Sequence, residues 1–208
     1  MAWVTGEYCS LEDVKAELGI VAANTNDDAK LQSYITAASR EIDTFTKRRF
    51  YGVVDTRYYH ALNDTDGRRL LLDYDLSGVI EITLGDGSVL AASDYVLEPY
   101  NEDPKFAVVL KASSDLSWQN YDTDPERAIA VEGTWGYTAG TVPPEAIRRA
   151  AISYTRWRYL ARRASPTSGQ TGTGGIGEYP VTSHLPDEVQ RMLTPFRSFV
   201  IKAVGGDV

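Results

Sequence analysis

The residue groups whose types and spacing bear on chemistry are few. Gly172-Thr173-Gly174-Gly175-Ile176-Gly177 has the spacing G-x-G-x-x-G, in which glycines let a backbone approach a pyrophosphate at a helix N-terminus. That chemistry needs a strand before and a helix after. Here a helical pattern and Pro166 precede, and Glu178-Tyr179-Pro180 follows, so the segment reads as a flexible loop. Asn63-Asp64-Thr65-Asp66-Gly67, with Asp73 and Asp75 beyond, clusters oxygen ligands. Leu62 and Asp73 stand where a calcium loop needs its first and last ligands, and the segment reads as a solvated hairpin turn. His60 and His184 lie far apart with no metal-binding or triad spacing around them, so no metal, cofactor or catalytic residue is assigned. Cys9 precedes a helix and reads as a small packed residue.

The strongest grouping is cationic. Arg148, Arg149, Arg156, Arg158, Arg162 and Arg163 fall in the stretch from Arg148 to Arg163, which contains no acid, while the 208-residue chain has a net charge of −8. Arg149, Arg156 and Arg163 are seven apart and form one stripe, with Trp157 and Tyr159 interleaved. Two uses suit such a stripe. It is a solvated face, or one paired with the chain's own acidic β-domain; or it meets a partner's acidic surface or DNA phosphates. The acidic remainder argues against gripping nucleic acid as the main task. The length suffices for a core without metal or disulfide. No segment has the apolar length of a membrane span, and the opening residues lack a secretion-signal pattern, so a cytoplasmic site of synthesis is expected.

These residues need elements to hold them. Ser10 and Asp13 predict a capped helix over 10–19 that Gly19 stops. Leu31, Ile35, Ala38, Ile42 and Phe45 predict a longer helix from about Asp27 to Lys47. From Val53 the period becomes two. Strands are predicted at 53–62, 69–73, 79–84, 88–92, 95–98, 106–111 and 128–135, with Asp86-Gly87 as a hairpin turn. Helix returns from Pro143-Pro144 to about Ala164. A glycine-rich loop follows over 165–180, then a helix from Pro186 or Asp187 to about Ala203 that Pro195 kinks or splits. The fold class is α+β, with about four helices forming a bundle core and an inserted antiparallel β-sandwich or barrel-like domain. Its divisions are 1–50, 51–140 and 141–208.

Several of these segments, in order, resemble the head–tail connector (adaptor) proteins of tailed bacteriophages. Tyr8-Cys9-Ser10-Leu11-Glu12-Asp13-Val14-Lys15 is similar to the family's opening helix. Ile35 to Asp43, Lys47-Arg48-Arg49-Phe50, Leu70-Leu71-Leu72-Asp73, Asp94 to Pro99, Val131 to Tyr137 and Pro143 to Ile147 extend the likeness. The β-insert departs from the smallest, nearly all-helical connectors and matches the larger ones. The resemblance implies a ring of roughly twelve copies in the virion neck, bound to a portal protein and to a stopper or tail-completion protein. It also implies a lumen through which genome DNA passes without sequence-specific binding, and no membrane and no enzymatic activity. Arg149, Arg156 and Arg163, with Gly172, Gly174, Gly175, Gly177 and Tyr179 of the glycine-rich arm, are the candidate partner contacts. An arm that orders on docking would contact the portal or a neighbouring subunit. The alternative is a carbohydrate- or receptor-binding β-module with a helical attachment domain, suggested by Trp118, Tyr121, Trp135 and Tyr137. A hydrolase using paired acids has no supporting motif.

Overall fold

Helix begins where the sequence supplies a cap. In the computed structural model, which describes residues 6–164 and 185–198, α1 runs over Leu11–Glu17. The Ser10 hydroxyl accepts from the Asp13 N–H at 3.1 Å, and the Asp13 carboxylate accepts from the Ser10 N–H at 3.0 Å, a complete capping box. Gly19, at φ +68°, takes the left-handed backbone that ends the segment. α2 (Asp28–Thr46) buries Leu31, Ile35, Ala38 and Ile42 at the predicted spacing. Ser39 and Thr46 are buried with them, and their hydroxyls donate to the Ile35 and Ile42 carbonyls one turn back, so neither polar group is orphaned. Lys47, not a glycine, adopts the left-handed C-cap at φ 57°.

α3 (Glu145–Ala164) and α4 (Asp187–Leu193) complete the helices, and α3 packs on α1, α2 and α4. Of the last helix, expected from Pro186 or Asp187 to about Ala203 with a kink or split at Pro195, the described part is α-helical to Leu193 and tightens into a 3₁₀ turn over Thr194–Phe196. Pro195 is the cause, because it has no N–H to continue the ladder. Residues 199–203 of that prediction lie outside the described residues, as do the glycine-rich loop 165–180 and His184.

The strands are β1 (Val53–Tyr59), β2 (Thr65–Asp66), β3 (Arg69–Thr83), β4 (Tyr95–Glu98), β5 (Lys105–Leu110) and β6 (Ile129–Trp135). They form one antiparallel sheet in the order β1-β6-β3-β5-β4, with β2 paired to β3. Alternation predicts a sandwich or barrel-like domain and two separate strands at 69–73 and 79–84. The described strands share one sheet, where a sandwich would have two, because β3 is continuous over 15 residues. Its first part pairs with β5 (Leu70 with Val108) and its later part with β6 (Ile82 with Val131), with register shifts around Leu76–Gly78 where the strand changes partner. The predicted strand at 88–92 is reduced to one bridge, Thr83 to Val89, beside the Asp86-Gly87 turn. Gly87 there has φ +80°.

Trp118 and Trp135 are fully buried in the sheet's core with Leu70, Leu76, Ile82, Val108, Ile129 and Val131. Each indole N–H has an acceptor: the Arg68 carbonyl at 2.8 Å for Trp118 and the Asp55 carbonyl at 2.9 Å for Trp135. The chain divides into two compact units, Arg48–Thr141 and a helical unit built from Met1–Lys47 with Val142–Arg197. No helix among the described residues is long and apolar enough to cross a membrane.

Candidate assembly interface

The helix that carries the arginines is amphipathic for a simple reason: Ile147, Ala150, Ala151, Tyr154, Thr155, Tyr159 and Ala161 recur on one face and are buried. The arginines between them are held to different degrees. Arg148 turns inward, with its guanidinium reaching both oxygens of Asp13 at 2.6 and 3.3 Å and Glu145 at 3.1 Å. This joins α1 to α3 through the residue that also completes the α1 cap. Burial pushes the Asp13 carboxyl upward, but the hydrogen bonds from Arg148 and Ser10 outweigh it and leave its pKa below the usual value. Arg158 binds Glu41, as does the Tyr154 hydroxyl, and its guanidinium lies 5.3 Å from the Tyr154 ring.

The predicted stripe is therefore not uniform. Arg149 and Arg156 stand outward, with side chains 62% and 47% exposed; Glu145 lies 2.9 Å from the first and Glu17 4.0 Å from the second. Arg163 is exposed but tied back. It donates to the Tyr159 hydroxyl at 2.8 Å and covers that ring at 5.3 Å, while the same hydroxyl donates to Asp27 at 2.6 Å. Arg162 is exposed beside it. The acids that pair with α3, namely Asp13, Glu17, Glu41 and Glu145, all belong to the helical unit. Pairing with the chain's own β-domain is therefore not the arrangement of these described ion pairs. Gly172, Gly174, Gly175, Gly177 and Tyr179 lie outside the described residues.

Charge is divided between the units. Residues 48–141 hold eight Lys and Arg against sixteen Asp and Glu, whereas the described residues of the helical unit hold twelve against eleven. The sheet unit alone thus carries −8, the formal charge of the entire chain. Its exposed acids include Asp115, Asp122, Asp124 and Glu126, in a segment from 115 to 126 without a basic residue.

The other chemistry weighed from the sequence takes a structural form. Trp118 and Trp135 sit in the core and so offer no stacking platform for a sugar. Tyr137 packs on Phe50, with the Arg48 guanidinium 5.3 Å from its ring. The Asn63–Gly67 segment leads through β2 into the Gly67-Arg68 turn of the β2–β3 hairpin, with Gly67 at φ +58°. His60 Nδ1 accepts from the Leu62 and Asn63 N–H groups and so closes the preceding turn. Cys9 is buried, and desolvation pushes its thiol up to about 12. Asp75 is the buried acid of the sheet. Desolvation raises its pKa, and Arg48 at 3.0 Å opposes the rise. Its neighbour on the strand, Asp73, accepts from Arg57 and the Tyr59 hydroxyl. Sequence spacing missed Asp13 to Arg148, Glu41 to Arg158 and Arg48 to Asp75, because the partners are 135, 117 and 27 residues apart and no local pattern links them.

Residues 8–75 match the family described as phage gp6-like head-tail connector proteins. No curated protein sequence matches the chain. Among solved structures, a chain from the neck of an empty gene transfer agent (GTA) particle, computed with C6 symmetry, aligns with a TM-score of 0.58 at 16% identity, covering 99% of this chain and 97% of that one. A chain from the neck of the native GTA particle, computed with C12 symmetry, aligns at 0.51 and 17% identity, covering 99% of both. A chain from the virion of the native GTA particle aligns at 0.51 and 16% identity, again over 99% of both. The resemblance to head–tail connectors is borne out by the match over 8–75, and the α+β fold is shared along nearly the whole length.

Proposed function

We propose that this chain is a structural protein of a virion neck, a head–tail connector that docks on a portal ring, extends the DNA channel and offers a surface to a stopper or tail protein. The observation that carries the reading is the connector-family match over residues 8–75, joined to a fold shared from end to end with neck proteins. In this reading the helical unit is the ring-forming core and the sheet unit is its insert. The protein acts by binding and carries out no catalysis. A ring of about twelve copies, as in the C12 neck, would place many acidic sheet units around one axis. Acidic charge facing the channel would repel the genome's phosphates, so DNA would slide and not adhere.

Native mass spectrometry of the purified chain, alone and mixed with a candidate portal ring, tests this. A discrete complex holding about twelve copies per portal is the expected result. A chain that ignores the portal, and binds oligosaccharide in a glycan screen, would return the β-module reading to first place.

A further inference from the structure

The two units are oppositely suited to each other across copies. The helical unit presents Arg149 and Arg156 outward with Arg162 and Arg163 exposed at the C-terminal end of the same helix, and the sheet unit carries all of the net negative charge. At 1.5 Å rise per residue, the distance from Arg149 to Arg163 is about 21 Å, the length of an interface rather than a single contact. Resting on the ring reading above, we infer that the arginine face of α3 docks on the acidic sheet unit of a second copy of this chain, and that neighbouring copies need this contact to associate.

Three observations favour a second copy over DNA as the occupant. Arg149 and Arg156 already stand beside the carboxylates of Glu145 and Glu17, so a protein carboxylate is the anion this face is seen to hold. Arginine's planar fork suits carboxylates on a protein surface, and exchange of Glu145 for a neighbour's acid costs little because both ends of that pair are more than 60% exposed. Finally, the two complementary surfaces are different patches of one chain. Such a contact is head-to-tail, the type that generates a ring when its rotation closes, whereas a patch that matched itself would stop at a dimer.

Sedimentation velocity of the full chain at low and high salt reads the inference directly. The unaltered chain should associate at 50 mM salt, with affinity falling at least about tenfold by 500 mM, because exposed charges are screened over a shorter distance. R149E/R156E/R162E should be monomeric, and so should D115R/D122R/D124R. Mixing the two variants should restore association, since each then carries the other's missing charge. Circular dichroism of each variant confirms that it is folded, and a fluorescent DNA duplex is the competing probe. An unaltered chain that is monomeric at low salt overturns the inference, even if it later joins a portal. Rings that form regardless of either charge reversal overturn it while leaving the connector reading intact. Duplex binding lost in R149E/R156E/R162E, without any self-association in the unaltered chain, assigns the face to DNA. A chain that neither associates nor joins a portal removes both readings.

Discussion

Breaking the Asp13–Arg148 pair should loosen the helical unit in a way that depends on pH, and the size can be worked from its surroundings. Asp13 has two jobs. It accepts the Ser10 N–H in the α1 cap and receives two hydrogen bonds from Arg148, with its side chain only 7% exposed. Truncating Asp13 leaves the Ser10 hydroxyl its bond from the residue-13 N–H and removes the acceptor of the Ser10 N–H, worth about 1 kcal/mol, while losing the charged hydrogen bonds costs about 1.5–3 kcal/mol. Arg148 is 26% exposed and keeps Glu145 at 3.1 Å, so its own stranding after the change is mild. Asp13→Ala is therefore expected to destabilise by about 2–4 kcal/mol, and Asp13→Asn, which retains an oxygen for the cap, by about 1.5–3 kcal/mol. In a double-mutant cycle with Arg148→Ala, a coupling of about 1–2 kcal/mol should remain.

The sign of the pH effect follows from the lowered Asp13 pKa. A carboxylate that holds its proton less tightly when folded contributes stability that is complete above its unfolded pKa, about 3.9, and disappears as pH falls through the folded value. The gap between the original chain and Asp13→Asn should thus be constant from about pH 5 to 7 and shrink below about pH 4. Urea unfolding followed by circular dichroism at several pH values measures it. A coupling under about 0.3 kcal/mol, or a gap that does not narrow in acid, would refute the assignment of Asp13 as the joint between α1 and α3.

Two further outcomes are expected. Cys9, buried with its thiol pushed up to about 12, should not react with a thiol reagent at pH 8 in the folded chain and should react at once in denaturant; rapid labelling of native protein would contradict its burial. Gly136→Ala should be far more damaging than Gly19→Ala. At Gly136 an added Cβ would meet the Tyr51 carbonyl oxygen at 2.1 Å with φ at +147°, whereas Gly19 at φ +68° has open space around it. About 1 kcal/mol is expected for Gly19 and several for Gly136, and thermal melts giving equal losses would be inconsistent with this packing.

Local chemistry was legible in the sequence, and long-range partnership was not. Ser10, Asp13 and Gly19 announced α1 because a cap is a contact between near neighbours. Leu31, Ile35 and Ile42 announced α2 because one buried face repeats at the helical period. The pattern reads β3 as two strands because Asp75, Ser77 and Gly78 are turn-forming types, yet Asp75 is buried against Arg48 inside a continuous strand. Trp118 and Trp135 suggest a sugar platform by type; the main-chain carbonyls that accept their indole N–H groups lie 50 and 80 residues away and let both rings enter the core instead. The arginine stripe was visible as a spacing. Which members reach solvent was not, because Asp13, Glu41 and Tyr159 decide it from elsewhere on the helices.

The ends of the sheet unit are clasped. The Gly52 N–H donates to the Gly140 carbonyl at 2.9 Å, and the Tyr137 N–H to the Arg49 carbonyl at 2.7 Å. Between Lys47 and Val142 lie 94 residues, but once the sheet has formed their two ends are as close as those of a tight turn. Closing a flexible loop of that length costs about 2–3 kcal/mol more than closing one of a few residues, and the folded sheet cancels that difference in advance. To the end of α2 and the start of α3, a whole domain then behaves as a short linker. An insert fastened at its neck can be enlarged, trimmed or exchanged while the helices on either side keep the same separation.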